Sequence, residues 1–317
     1  MAKKLTKQQV YNTERKVQNE WAKRDFEREK MLEAVYREST ERMQRQIDDF
    51  YLSYANREGL TRAEARKRIK NFDVPKWANK AAQAVKEKDF SPYTNDWLRT
   101  YNTKMYISRV ELLKAELELE LQNMYSQEHA IMDKYLVDEA LAEMKRQAGI
   151  LGNSASGSVE RARRIVDADF YGTNFSERIW GRTGYYNEMR KEVFGSLNRI
   201  YTDMMGYRSE RNRLMRKFQT SEYEAMRLLR TESSRIRADA SIQSAKDNGA
   251  THYINVAEAG HCSLCGDWAG KAIPIERAEP GYNMHPFHPH CFCSSYNHIL
   301  MEYKDGRTTL DDFDVVD

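Results

Sequence analysis

Proline and glycine are scarce in this 317-residue chain, at 6 and 15 residues. With so few breakers there is little to interrupt a helix, which argues for extended helices over the fold of a compact enzyme. Long apolar runs are missing too. None approaches the ~18 residues needed to cross a bilayer, so no membrane segment is expected. Charge of one sign is also in short supply: the formal net charge is +3, too small to imply nucleic-acid binding by itself, so any basic surface must be local. Met1-Ala2-Lys3-Lys4 is followed by polar residues and does not read as a secretory signal. The expectation is a soluble protein made in a cytoplasm.

Cysteine is the scarcest informative residue, with four in the chain. All four fall in two short runs, His261-Cys262-Ser263-Leu264-Cys265-Gly266 and His285-Pro286-Phe287-His288-Pro289-His290-Cys291-Phe292-Cys293. The first is a C-x2-C knuckle, and the second offers H-x2-C with Cys293 just beyond. A tight turn brings two thiolates within reach of one ion, and a His/Cys pair from a second loop completes a tetrahedron, the geometry of structural zinc. The expected ligands are Cys262, Cys265, His288 and Cys291. Cys293, His285 and His290 compete for the last positions, and an all-thiolate set that includes Cys293 is the main rival. Reduced unligated thiols, or two disulfides, are the readings without a metal. Disulfides rank last because reducing compartments suppress them. Four protein ligands would leave no open coordination position, so the metal is expected to staple structure and not to perform chemistry.

The rest of the chain reads as mainly α. From Leu5 to about Tyr54 there is no Gly or Pro, and Val17, Trp21, Leu32, Val35, Met43, Ile47, Phe50 and Tyr54 recur at helical spacing. The charge-rich remainder of that surface is read as solvated. Short helices are expected at Thr61-Arg62-Ala63-Glu64, Asp73-Val74-Pro75 and Ser91-Pro92, followed by a second long helix from about Asn95 to Arg146. The division expected is a helical arm or hairpin over 1–148, a Gly/Ser linker over 149–158, a helical region over 159–248, a small α+β knuckle-bearing lobe over 249–300, and a loose or partner-docking acidic tail over 301–317. A helix begins at Phe175, another opens at Ser221-Glu222-Tyr223-Glu224, and strands are expected at 251–256 and 295–301. Arg230 and Glu232 are expected to tie a helix to the lobe, and Trp268 to pack over the knuckle. Arg208, Arg211, Arg213 and Arg216 form a basic stretch able to meet DNA phosphates or an acidic protein surface; the plainer reading is a solvated helix face.

Arg230-Thr231-Glu232 in a helix, then a strand, then Cys262-x2-Cys265 with Gly270, then His288-Pro289-His290-Cys291-Phe292-Cys293 together resemble the Mu F-like family of phage head morphogenesis, or minor capsid, proteins. Phe175 to Trp180 is similar to the entry of the same domain, and the resemblance covers roughly residues 160 to 298. The chain departs from the family in having Phe292 where an Arg commonly sits, and Glu258-Ala259-Gly260-His261 where an Asp-Xaa-Arg-Thr run is usual. Neither change removes a candidate ligand. The resemblance implies a low-copy, non-enzymatic virion component at the portal vertex and capsid interior. Its implied partners are the portal, the major capsid or scaffolding protein, and genomic DNA, with which some relatives are thought to be ejected. The competing functions are a metal-dependent nuclease using the histidine cluster and a zinc-stapled nucleic-acid-binding adaptor.

Overall fold

The computed structural model describes residues 6–55, 83, 86, 109–154, 158–202 and 207–316. The short helices expected between Thr61 and Pro92 and the start of the second long helix lie outside the described residues. The architecture is mainly helical with one small sheet near the C-terminus. Helices α1 (Lys7–Ala55), α2 (Arg109–Ile150), α3 (Val159–Val166), α4 (Phe175–Trp180), α5 (Tyr185–Thr202) and α6 (Tyr207–Asn248) precede β1 (His252–Val256). Then come α7 (Ser263–Trp268), β2 (Lys271–Pro274), a 3₁₀ turn at Ile275–Arg277, β3 (Ser294–His298) and β4 (Asp314–Val315).

Local chemistry accounts for the boundaries. Ser158 caps α3 by accepting the Arg161 N–H, and Glu160 sits in the first turn against the helix dipole. Gly249 ends α6 at φ +71°, and Ala250 N–H returns to Ala245 O, a Schellman closure. Ser221 does not open a helix as expected. It lies mid-helix in α6, buried, with its hydroxyl 2.8 Å from Tyr125 Oη, and that partner removes its reason to compete for the backbone.

The chain forms two units, one of Met1–Met31, Ile131–Phe175 and Glu224–Asp317, the other of Leu32–Ala130 and Ser176–Tyr223. Packing therefore does not follow the expected break after residue 148: the first 31 residues of the arm belong with the lobe. In the first unit, Arg237 of α6 bonds Asp25 of α1 at 2.9 Å and Glu139 of α2 at 2.8 Å, with Arg24 also on Glu139 at 2.7 Å. Arg146 of α2 meets Glu14 of α1 at 2.6 Å. Glu14, Asp25 and Glu29 are thus buried, against the expectation of a solvated charged face. Their partners lie on distant helices, which helical periodicity cannot report.

The sheet has the order β3-β1-β2-β4, with β1 antiparallel to both neighbours and β4 parallel to β2. Gln147 of α2 lies along the outer edge of β3, donating to Ser295 O at 2.8 Å and accepting from Asn297 N–H at 3.1 Å. The acidic tail is not loose. Leu310 and Phe313 are buried with Val10, Ile254, Val256, Ala272 and Tyr296, and β4 adds to the sheet. Two apolar residues among the aspartates supply the driving force that a charge-based reading overlooks.

In the second unit, Tyr125 packs edge-on to Tyr36 and Tyr186, and Trp180 packs against Tyr186. Glu128 is fully buried there. Tyr36 Oη donates to its Oε2 at 2.7 Å, and Oε1 has no partner among the described residues. Burial pushes its pKa from 4.5 to about 8. A folded-state value above the unfolded one means that unfolding releases a proton between these limits, so this group's contribution to stability falls as pH rises from about 4.5 to 8. Glu128→Gln is expected to remove that slope and to stabilise the protein by on the order of 1 kcal/mol or more at pH 8. Urea unfolding of both proteins from pH 5 to 8, followed by circular dichroism, measures it; parallel pH profiles would contradict the assignment.

Candidate metal centre

Two loops that leave neighbouring strands carry the donors. After β1 the chain turns at Gly260 (φ +79°) and enters α7, with Cys262 at the N-cap and Cys265 in the first turn. The Gly266 N–H bonds Cys262 O at 2.9 Å, and this helical turn holds the knuckle closed. On the return loop, Cys291 N–H bonds His288 O at 3.2 Å, and His290 occupies the left-handed region at φ +64°. That turn brings His288 and Cys291 to the same end of the lobe. Cys293 follows immediately before β3.

The donor atoms of Cys262, Cys265 and His288 all lie within 4.8 Å of one another, and so do those of Cys265, Cys291 and Cys293. Cys265 is common to both sets. Its Sγ is 3.9 Å from Cys291 Sγ and 3.1 Å from His288 Nε2. Sulfurs at tetrahedral positions around one zinc-sized ion, each bonded at ~2.3 Å, sit about 3.8 Å apart. The Cys265–Cys291 separation matches. The imidazole is also oriented for coordination. His288 Nδ1 is 2.7 Å from Pro289 O, a group that only accepts, so Nδ1 carries a proton, and in the neutral ring the Nε2 lone pair faces the sulfurs.

The electrostatics of the sulfurs point the same way. Hydrogen bonds from the Cys265 and Cys293 thiols hold Cys291 far below the usual thiol range, while the bond to Cys291, together with burial, pushes Cys265 and Cys293 up. A positive ion among the sulfurs would favour ionisation of the two whose pKa is raised. Cys265, Cys291 and Cys293 are buried in an apolar cluster with Ala257 and Phe287, while Cys262 is exposed. Trp268 stacks on Phe287 with centroids 6.5 Å apart and planes 4° apart, and Lys271 Nζ lies 4.6 Å over the indole. The four cysteines and His288 therefore form a group able to bind a metal ion.

Of the expected tetrad, the structure gathers Cys262, Cys265 and His288 directly and brings in Cys291 through Cys265, with Cys293 within 4.8 Å of that pair. His285 and His290 belong to neither set. His285 is buried, its Nδ1 3.2 Å from Ser234 Oγ, and burial lowers its pKa to about 4. Arg230 is bound to Glu29 of α1 and lies 5.6 Å from the Phe292 ring centroid, so it reaches the lobe through a ring face. Glu232 pairs with Arg235 on its own helix at 2.9 Å. In the second unit, Arg211 pairs with Asp48 at 3.1 Å and Arg213 with Glu192 at 2.7 Å, which neutralises part of the basic stretch; Arg208 and Arg216 are exposed. Gln18 belongs to no spacing motif, and Glu258 stands out in the sequence only as the first residue of the run before Cys262; its Oε1 accepts the Phe292 N–H at 3.4 Å across the two loops.

Because both sets share Cys265, Cys265→Ser is expected to weaken metal retention at least ~10-fold more than Cys293→Ser. Metal remaining after graded chelator challenge, measured by elemental analysis, checks this ordering. Equal retention in the two variants would deny Cys265 its central place. Comparison with protein-family models, curated proteins and solved structures finds no match to this chain.

Proposed function

We propose that this chain is a structural, non-catalytic protein whose C-terminal lobe is stapled by one zinc ion, and that it serves as a minor head protein of a tailed phage at the portal vertex. The observation that carries the zinc reading is the convergence of three thiols and one oriented imidazole on Cys265. Soft sulfur donors with one imidazole nitrogen suit zinc in tetrahedral geometry. Cys262, Cys265, His288 and Cys291 are the ligands we assign, with Cys293 held in reserve beside them. A shell filled by protein leaves no site for water or substrate, so the ion contributes folding energy to a lobe whose sheet has four short strands. The phage reading rests on the order of motifs from Phe175 to Cys293. In it the portal is the principal partner; contact with capsid or scaffolding protein and with genomic DNA, and ejection with that DNA, are secondary.

The full chain, purified without chelator, is expected to carry one equivalent of zinc by elemental analysis. Less than about half an equivalent would count decisively against the staple. Mixed with rings of its cognate portal protein, the chain is expected to co-elute with them in size-exclusion chromatography. Separate elution would remove the head-assembly reading and leave the zinc reading standing.

A further inference from the structure

Both ligand-bearing loops leave the sheet at one place. Val256 and Ser294 are the last register pair of the β1–β3 ladder. Beyond Val256 the chain runs to Cys262 and Cys265; just before Ser294 it comes from Cys291 and Cys293. The mouth of this fork is held by one side chain from α1, more than two hundred residues away in sequence. Gln18 Nε2 donates to Val256 O and to Ser294 Oγ, both at 2.9 Å. Gln18 is 5% exposed, and its two amide hydrogens match the two acceptors.

We infer that Gln18 is a positioning residue for the metal centre: by clamping Val256 to Ser294 it sets the separation of the two ligand loops and so the size of ion they enclose. This rests on the zinc reading above. A buried amide with both hydrogens used resists spreading of the strand ends, because opening them leaves a donor unpaired away from water. Farther along the fork, Glu258 Oε1 on the Phe292 N–H makes a second rung. Arg230, held by Glu29 of α1, lies over the ring of Phe292 between Cys291 and Cys293. Thus α1 contributes no ligand, yet it holds the frame that the ligands hang from. Second-layer partners of this kind are worth about 10- to 100-fold in metal affinity.

The test uses the full chain and two ions, zinc and the larger cadmium, with affinities from competition against a chromophoric chelator. Gln18→Ala is expected to weaken zinc binding about 10-fold and cadmium binding less, because a fork free to open suits the larger ion. Ser294→Ala removes one of the two bonds and is expected to give a smaller shift of the same sign. The double variant should lose less than the sum of the single losses. Equal loss for both ions would mean that Gln18 merely stabilises the lobe, and would overturn the assignment, as would unchanged zinc affinity in a folded Gln18→Ala protein. Should Gln18→Ala fail to fold, Ser294→Ala decides: unchanged affinity for both ions overturns the inference. Failure of the parent chain to bind zinc at all would instead remove the staple on which it rests.

Discussion

A buried guanidinium holds the first unit together. Arg237 is 2% exposed, and taking its charge out of water costs several kcal/mol unless it is fully matched. Asp25 and Glu139 supply the match, Tyr135 Oη lies 3.1 Å away, and the Trp21 ring faces the guanidinium with its centroid at 4.6 Å. These groups come from α1, α2 and α6. Once one of the three helices is placed the others have little freedom, since a shift of one turn would leave a charge stranded. Such a core is specified by register more than by volume, and it fixes where α1 passes the sheet. Gln18 stands two turns before Asp25 on that helix, so the same constraint delivers its amide to the fork between β1 and β3.

The parts that were legible in the sequence share one property: their signal is local. Long stretches without Gly or Pro give α1 and α2, Gly249 marks the end of α6, and the crowding of Cys and His marks the lobe able to bind a metal ion. What was not legible depends on partners far along the chain. Glu14, Asp25 and Glu29 look like any solvated acidic positions until Arg146, Arg237 and Arg230 arrive from other helices. Gln18 is one of several polar residues on α1, distinguished only by the strand ends it meets. The tail misleads in the opposite direction, because its aspartates outnumber the two apolar residues that dock it. Within the cluster, spacing alone offered more donors than one ion needs. The structure narrows the choice by turning His288 toward the sulfurs and leaving His285 on Ser234, while Cys291 and Cys293 stay side by side.

The lobe and the helices of the first unit therefore divide the labour. The lobe has a small sheet and a short helix, and folds of that size commonly add a metal to apolar burial. An ion can supply the missing cohesion from within. The helices supply it from outside: Ser241 and Asn297 bond across α6 and β3 at 3.1 Å.

Gln147 has a bearing on how this molecule meets its neighbours. By bonding Ser295 O and Asn297 N–H it plays the part of an absent strand, so the backbone groups that would otherwise recruit another polypeptide at β3 are already satisfied. At the opposite margin, β4 is two residues long, too brief a template for a foreign strand to extend. Association through this sheet must then be made by side chains rather than by ladder growth, which favours partners of defined shape over indiscriminate self-stacking.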